Sequence, residues 1–366
     1  MKLPEIALIY ARKQACGGST SFTVHLYRAM LRAGIDVKIY RPSLKERAPA
    51  LIGKYDNVTG HYVTLERARY ICKHIPSLLT GPDIEKNLPT PDCLISLMKA
   101  GMRIVVHDPN EFKNFPHVNN KTLVHRPICI RPTMHRFFPE AVFIPHPYCR
   151  EFKGWQGEDL PDREPACSIA RMTFIKRVEL LLEANRKLDK GERIRFHGSE
   201  NRLYTYFKLC KKFPEFKQGG YDLPLEWGVS ARAARKYKFA IDMTYLPKDG
   251  GGSQYTFMEA WDAGTVNVIH GDWLRYREKY QAEMKPTINC LVAYDSDDIA
   301  GLVKNCHHGY IQDLLREISI RSTQYLEKWH DPMAVASLYY KELTGKMLPI
   351  RKIRFPREKD NGKVRN

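Results

Sequence analysis

Arg171 and Lys176 have the residue types and spacing that point most directly to chemistry. They follow an apolar run, Ala166 to Ala170, and precede a helix-like run from Val178 to Leu188. A guanidinium fork and an ammonium so placed can straddle a diphosphate. The helix dipole opposes cations at a helix start, so the pair favours an anionic ligand over a solvated helix end. A second phosphate-handling element is residues 249–265, Asp-Gly-Gly-Gly-Ser-Gln-Tyr-Thr-Phe-Met-Glu-Ala-Trp-Asp-Ala-Gly-Thr. Its glycines, Gly251 and Gly252 among them, let backbone N–H groups approach an anion closely. Ser253 is the expected cap of a short helix ending at Gly264, and its start adds partial positive charge. Glu259, a turn and a half into that helix, is placed to meet a ribose hydroxyl.

Two further sites stand at expected strand ends. His107-Asp108 follows the apolar run Arg103 to Val106. The histidine can bond a sugar hydroxyl, and the aspartate can orient an acceptor hydroxyl or take its proton. A packed histidine before an Asp-Pro turn is the plain alternative. His197-Gly198-Ser199-Glu200 suits a base or a ribose. Downstream of His107-Asp108, the basic residues Lys113, Lys121, His125, Arg126, Arg131, His135 and Arg136 alternate with Phe112, Phe115, Phe137 and Phe138. Prolines at 116, 127 and 132 make the segment loop-rich. Cations mixed with aromatics suit phosphate contact and stacking on an extruded base. The alternative is a solvated surface over core phenylalanines. Arg202, Lys208, Lys211 and Lys212 read as a solvated helix face.

The elements that must position these residues fall into two series. The first runs strand Ile6 to Tyr10, loop Cys16-Gly17-Gly18-Ser19-Thr20, helix Phe22 to Ala33 and strand Val37 to Tyr40. Cys93 to Leu97 and Arg103 to Val106 are further apolar runs, and Ala141 to Ile144 closes the half. Residues 150–165 are polar and turn-rich and read as a linker. The second series has strands Ala166 to Ala170, Ile194 to His197, Phe239 to Leu246, Thr265 to Ile269 and Cys290 to Tyr294. Its helices are Val178 to Leu188 and Asn201 to Lys211, and residues 308–344 are mostly helical. The expectation is an α/β chain with two facing Rossmann-like domains and a deep cleft between them. Residues 1–150 form the first domain, completed by a C-terminal helix at about 330–348. Residues 165–325 form the second, and 349–366 a basic tail.

Composition narrows the partners. The chain has 366 residues, 43% of them hydrophobic, which is globular rather than disordered. Its net charge of +18 fits a polyanion, either nucleic acid or an anionic membrane. No apolar run reaches membrane-span length, and the start reads as a strand rather than a signal peptide. Nine dispersed cysteines without a CxxC pair argue against a disulfide framework or zinc site and for a cytoplasmic setting.

The second half resembles the retaining nucleotide-sugar glycosyltransferases of the GT-B fold. Ala170-Arg171…Lys176 is similar to their phosphate-binding pair. Glu259-Ala260 is similar to the second glutamate of their E-x7-E motif, although Gly251 stands where the first is expected. A narrower resemblance is to bacteriophage DNA α-glucosyltransferases, which modify 5-hydroxymethylcytosine. It rests on Cys16-Gly17 with Thr20 and Phe22, on Arg103-Ile-Val-Val-His107-Asp108, on Arg171-x-Thr173-x-x-Lys176, on Gly198, and on Tyr255-Thr-x-x-Glu259 with Ala263-Gly264-Thr265. The resemblance implies hexose transfer, glucose foremost, from a UDP-sugar to a hydroxymethylated pyrimidine in duplex DNA. Asp108 and His107 are then the catalytic pair. Donor contacts fall on Arg171, Lys176, Gly18 and Gly198, on Gly251, Gly252, Ser253 and Gln254, and on Tyr255, Thr256 and Glu259. Lys113, Lys121, Arg126, Arg131 and Arg136 face DNA. A monomer is expected, with no metal requirement and at most a stimulatory divalent cation. The alternative is a cell-envelope transferase of the same fold with a lipid or polysaccharide acceptor.

Overall fold

The computed structural model describes residues 4–11, 17–44, 47–52, 57–81, 91–107, 125–152, 159–170, 172–198, 201–216, 223–224, 230–245, 255–274 and 283–348. Strand β1 (Ile6–Tyr10), helix α1 (Gly18–Arg32) and strand β2 (Val37–Pro42) open the chain. They are followed by β3 (Ala50–Leu51), β4 (Thr59–Val63), α2 (Leu65–His74), β5 (Ser77–Gly81), α3 (Pro91–Lys99), β6 (Met102–Val106), β7 (Ile128–Cys129) and β8 (Val142–Phe143). These strands make one sheet in the order β3-β4-β2-β1-β5-β6-β7-β8, parallel except for the β3–β4 pair. Every residue of β1 is buried, as a parallel strand covered on both faces requires. The run Cys93 to Leu97 belongs to α3, whose Cys93, Leu94, Leu97 and Met98 recur at helical spacing and are buried.

The second sheet begins with β9 (Glu164–Ile169), α4 (Val178–Arg186) and β10 (Arg195–Gly198). A helical segment over 202–212 follows, with a π-helical turn at Thr205–Leu209. Then come β11 (Leu223–Pro224), α5 (Ser230–Ala234), β12 (Tyr237–Asp242), α6 (Tyr255–Ala263), β13 (Val266–His270), β14 (Leu291–Ala293), α7 (Ser296–Asn305), α8 (Gly309–Trp329) and α9 (Pro332–Thr344). The order is β11-β10-β9-β12-β13-β14, all parallel. Two doubly wound sheets flanked by helices are the expected α/β architecture. Strand β12 ends at Asp242, four residues before the apolar run does. Gly264, at φ 71°, ends α6 as its sequence predicts.

The chain passes between the two halves twice, and the crossings touch. Helix α9 returns to the first half, where Tyr339 meets Phe22 of α1 edge-on at 5.8 Å. Tyr148 N–H, on the first crossing, donates to the His330 carbonyl on the second at 3.0 Å. His330 Nδ1 in turn lies 2.8 Å from the His146 carbonyl. The start of the expected linker is anchored by a buried carboxylate on α6. Asp262 accepts from Arg150 Nε at 3.0 Å and from Glu151 N–H at 2.7 Å. Beside it, the His25 ring stacks on Tyr148 at 4.6 Å and on Tyr255 at 5.1 Å, and the two tyrosine rings lie 6.4 Å apart.

His25 makes this junction sensitive to acid. Burial, with Arg28 and Arg32 nearby, lowers its pKa to about 3. Its Nδ1 accepts from Cys149 N–H at 3.0 Å, which only the unprotonated ring can do. The unfolded imidazole takes a proton near its ordinary value of 6.5. Stability from this group is whole above that pH and falls as pH drops toward 3, because only the unfolded state binds the proton. At about pH 5 the loss is about 2 kcal/mol. Urea denaturation at about pH 7.5 and about pH 5 checks it; equal stabilities would contradict a buried neutral ring.

Candidate active site

In the second sheet the chain leaves β9 toward β10 on one side and β12 toward β13 on the other. The crevice beyond the carboxyl ends of β9 and β12 is therefore a topological switch point, where open α/β sheets bind ligands. Lys176 sits in the 3-10 turn Phe174–Lys176 that follows β9. Its Nζ is 2.8 Å from Oδ2 of Asp242, the last residue of β12, so an ion pair spans the switch point. Both side chains are largely buried. The other carboxylate oxygen of Asp242 accepts from Thr244 N–H at 2.8 Å and from the Thr244 hydroxyl. Thr244 is held in turn by Trp273, whose indole N–H donates to its carbonyl at 2.9 Å.

Arg177 locks the same turn from the other side. It adopts the left-handed conformation, φ 46° and ψ 43°, an uncommon one for a residue with a side chain. Its guanidinium lies 4.3 Å over the Tyr245 ring and pairs with Asp272 at 3.2 Å. Tyr245 N–H donates to the Ile175 carbonyl at 2.7 Å. The ends of β12 and β13 thus grip the turn that carries Lys176.

Helix α6 is the next helix in the chain after β12, the strand that ends at Asp242. Glu259 on its second turn is 7% exposed. Among the described residues, Thr256 Oγ1 is buried with no hydrogen-bond partner, which suits a polar ligand atom. Tyr255 faces the junction instead: its hydroxyl donates to the Pro147 carbonyl at 3.0 Å. Gly198, at the end of β10, is needed for backbone approach. A Cβ there would stand 1.9 Å from the Ala170 carbonyl oxygen, immediately before Arg171. Gly198→Ala must force these strand ends apart, at about 1–3 kcal/mol. A lowered melting temperature is expected, and a wild-type value would refute the close approach. His197 turns into the sheet, its Nε2 2.9 Å from the Tyr237 hydroxyl.

The first sheet has its own switch point between β1 and β5. Helix α1 starts there at Gly18, preceded by its cap residue Gly17 at φ 107°, and Gly18 is exposed with open space beside it among the described residues. Hydroxyls tie this start to the strand ends: Thr20 to Tyr10 at 2.9 Å and Thr23 to Thr80 at 2.8 Å. His107 follows β6, packs edge-on against Phe22 at 4.9 Å and places Nε2 3.0 Å from the Thr80 carbonyl. That carbonyl can only accept, so Nε2 carries its hydrogen. Arg131, expected on a DNA-facing surface, is 6% exposed and donates to the His107 carbonyl. It supports the strand end from beneath. Arg126 is exposed, 3.6 Å from Glu342, and Arg136 lies over Phe137 at 5.5 Å.

Asp108, Lys113, Lys121, Arg171, Gly251, Gly252, Ser253 and Gln254 lie outside the described residues. Asp242, Thr80 and Arg177 were not anticipated. Asp242 carries the signal that selected His107-Asp108, a polar residue ending an apolar strand. Among the described residues no group of three or more His, Cys, Asp or Glu is arranged to hold a metal, and no helix is long and apolar enough to cross a membrane.

No protein-family model and no curated protein matches the sequence. Solved structures match its fold along nearly the whole chain. HepE from Anabaena, in complex with UDP and glucose, is 9% identical, with 94% of this chain and 100% of that one covered and a TM-score of 0.68. An alpha-glucosyltransferase in complex with UDP-glucose and DNA containing an abasic site is 13% identical, with coverage of 94% and 100% and a TM-score of 0.68. A glycosyltransferase from Rickettsia africae is 12% identical, with coverage of 94% and 100% and a TM-score of 0.63. The chain has the GT-B glycosyltransferase fold.

Proposed function

We propose that this chain transfers a hexose, glucose foremost, from a UDP-sugar to the hydroxymethyl group of a modified pyrimidine in duplex DNA. The observation that carries the reading is the Lys176–Asp242 pair held across the switch point of the second sheet. A cation held at such a point would suit the diphosphate of a nucleotide-sugar, and this supports the reading. The orphaned Thr256 hydroxyl and buried Glu259 beside it support a ribose or sugar contact. The acceptor reading draws support from the net charge of +18, from the His107-Asp108 strand end, and from likeness to an alpha-glucosyltransferase solved with DNA.

In this reaction the bond from the anomeric carbon to the diphosphate oxygen breaks, and a bond to the acceptor oxygen forms. Lys176 and Arg171 neutralise the charge growing on the leaving UDP, and N–H groups of Gly250–Gly252 serve as further donors. Asp108 orients the acceptor hydroxyl, whose proton leaves to it or to the departing phosphate. His107 contacts the donor sugar, held by Thr80, Phe22 and Arg131. Arg126 and Arg136, with Lys113 and Lys121, meet the DNA backbone. The target base leaves the stack to reach the cleft. Retention of anomeric configuration accompanies the family resemblance. The cationic pair leaves no step that requires a metal, and a divalent ion would act on product release.

Incubation with UDP-glucose and duplexes containing cytosine, hydroxymethylcytosine or hydroxymethyluracil, followed by nucleoside mass analysis, tests the reading. A hexose mass added only to a hydroxymethylated base is expected. Transfer to a lipid or glycan with none to any duplex would overturn it in favour of the cell-envelope alternative.

A further inference from the structure

Large exposed apolar side chains gather beside the candidate donor site. Phe174 and Ile175, in the turn that ends at Lys176, are 55% and 51% exposed. Leu203, Tyr206 and Phe207 on the neighbouring helical segment are 63%, 59% and 56% exposed. The two segments touch where Phe174 meets Tyr204 at 4.8 Å. The π turn at Thr205–Leu209 widens the helix within this patch, a distortion common at functional sites. Nothing in the core calls for such exposure, because Tyr204, Thr205, Leu209 and Phe213 already fill the inward face.

Charge identifies the occupant. Residues 172–177 and 201–212 contain no Asp or Glu, yet carry six cations, of which Lys176 and Arg177 are paired with Asp242 and Asp272 and the others are Arg202, Lys208, Lys211 and Lys212. Lys208 and Lys212 bond Glu179 and Glu183, which fastens the segment to α4. Lys211 is exposed and lies 5.6 Å over the Phe207 ring. Cation and aromatic ring are therefore interleaved on one face. A membrane-binding helix separates its cations from its apolar stripe. Stacking on bases together with phosphate contact wants the two mixed.

We propose that the Leu203–Tyr206–Phe207 face, continued by Phe174 and Ile175, is a second nucleic-acid contact on the donor-side domain. It packs against bases or sugars flanking the extruded target while Lys211 meets the backbone. This rests on the reading that duplex DNA is the acceptor. It adds that both walls of the cleft hold the duplex, so an unstacked base is caught between them.

The test compares the wild-type chain with Leu203→Ser/Phe207→Ser and, separately, Lys211→Ala. Both changes are on the surface, and melting temperature and UDP affinity should stay at wild-type values. KM for a hydroxymethylcytosine duplex should rise about tenfold in the double variant. With 2-aminopurine beside the target base, the fluorescence rise on wild-type binding should shrink in the same variant. Unchanged KM and fluorescence in variants of an enzyme that does glycosylate DNA would overturn this inference alone. A wild-type chain inert on every duplex would overturn it together with the acceptor reading. Binding to phosphatidylglycerol vesicles that the double variant loses, with its DNA KM unchanged, would assign the patch to a membrane and sink the proposal.

Discussion

Lys176→Ala lowers kcat/KM for the UDP-sugar by about 10²–10³-fold, the loss expected when one preorganised donor to a developing anion is removed. Two effects act together. The diphosphate loses a cation, and Asp242, with its side chain only 8% exposed, is left as an uncompensated carboxylate facing it. Asp242→Asn separates them. It keeps an acceptor for Thr244 N–H while removing the charge, so Lys176→Ala/Asp242→Asn should recover part of the UDP affinity lost by Lys176→Ala. Arg171→Ala should behave like Lys176→Ala. Titration calorimetry with UDP reads each variant without needing an acceptor. Wild-type affinity in Lys176→Ala would mean that the diphosphate binds elsewhere.

Asp262→Ala costs about 3–5 kcal/mol of stability, as expected for breaking a buried pair from one side. The Asp262 side chain is fully buried and that of Arg150 is 9% exposed. Burial raises the Asp262 pKa, against the pull of the Glu151 and Phe152 N–H groups and Arg150. The carboxylate therefore depends on those partners to stay charged, and truncating it strands all of them. Asp262→Asn should cost less, because an amide oxygen still accepts from Glu151 N–H. Urea unfolding compares the two. A wild-type midpoint for Asp262→Ala would show that the junction is held by its aromatic stack alone.

Much of the fold can be read from hydrophobic periodicity. The β1–α1–β2 opening and strands β9, β10 and β13 fall within a few residues of their apolar runs, because parallel strands buried on both faces are continuous apolar stretches. The α/β class with two doubly wound sheets follows from that alternation. Between residues 44 and 92 the signal fails. Strand β4 reads Thr-Gly-His-Tyr-Val, next to the sheet edge, and α2 has few buried residues. Cys93 to Leu97 shows the limit of short windows, since an apolar run suits a strand as well as a buried helix face.

The site is legible where it depends on chain order and obscure where it depends on distance. Lys176 stands out beside a helix start. Its partner Asp242 is 66 residues away, and only strand order makes them neighbours. Arg131 misleads for the opposite reason. Its surroundings in the chain are basic and aromatic, yet the fold turns it inward beneath His107. Tyr255 sits on the right helix, but its ring completes a stack whose other members come from α1 and residue 148.

The contact between Tyr148 and His330 also governs how a substrate can enter. Two chain passages fastened side by side form one edge along which the halves are joined, so a rotation about that edge would leave these bonds intact. Sliding of one half past the other would break the bonds at 146–148 and 330 together with the Asp262 anchor. A rotation about the joined edge would widen a gap between the halves most on the side opposite that edge. If the acceptor is the duplex proposed above, a rigid rod could then approach from that side without threading an end, and internal positions of a long polymer would be as accessible as its termini.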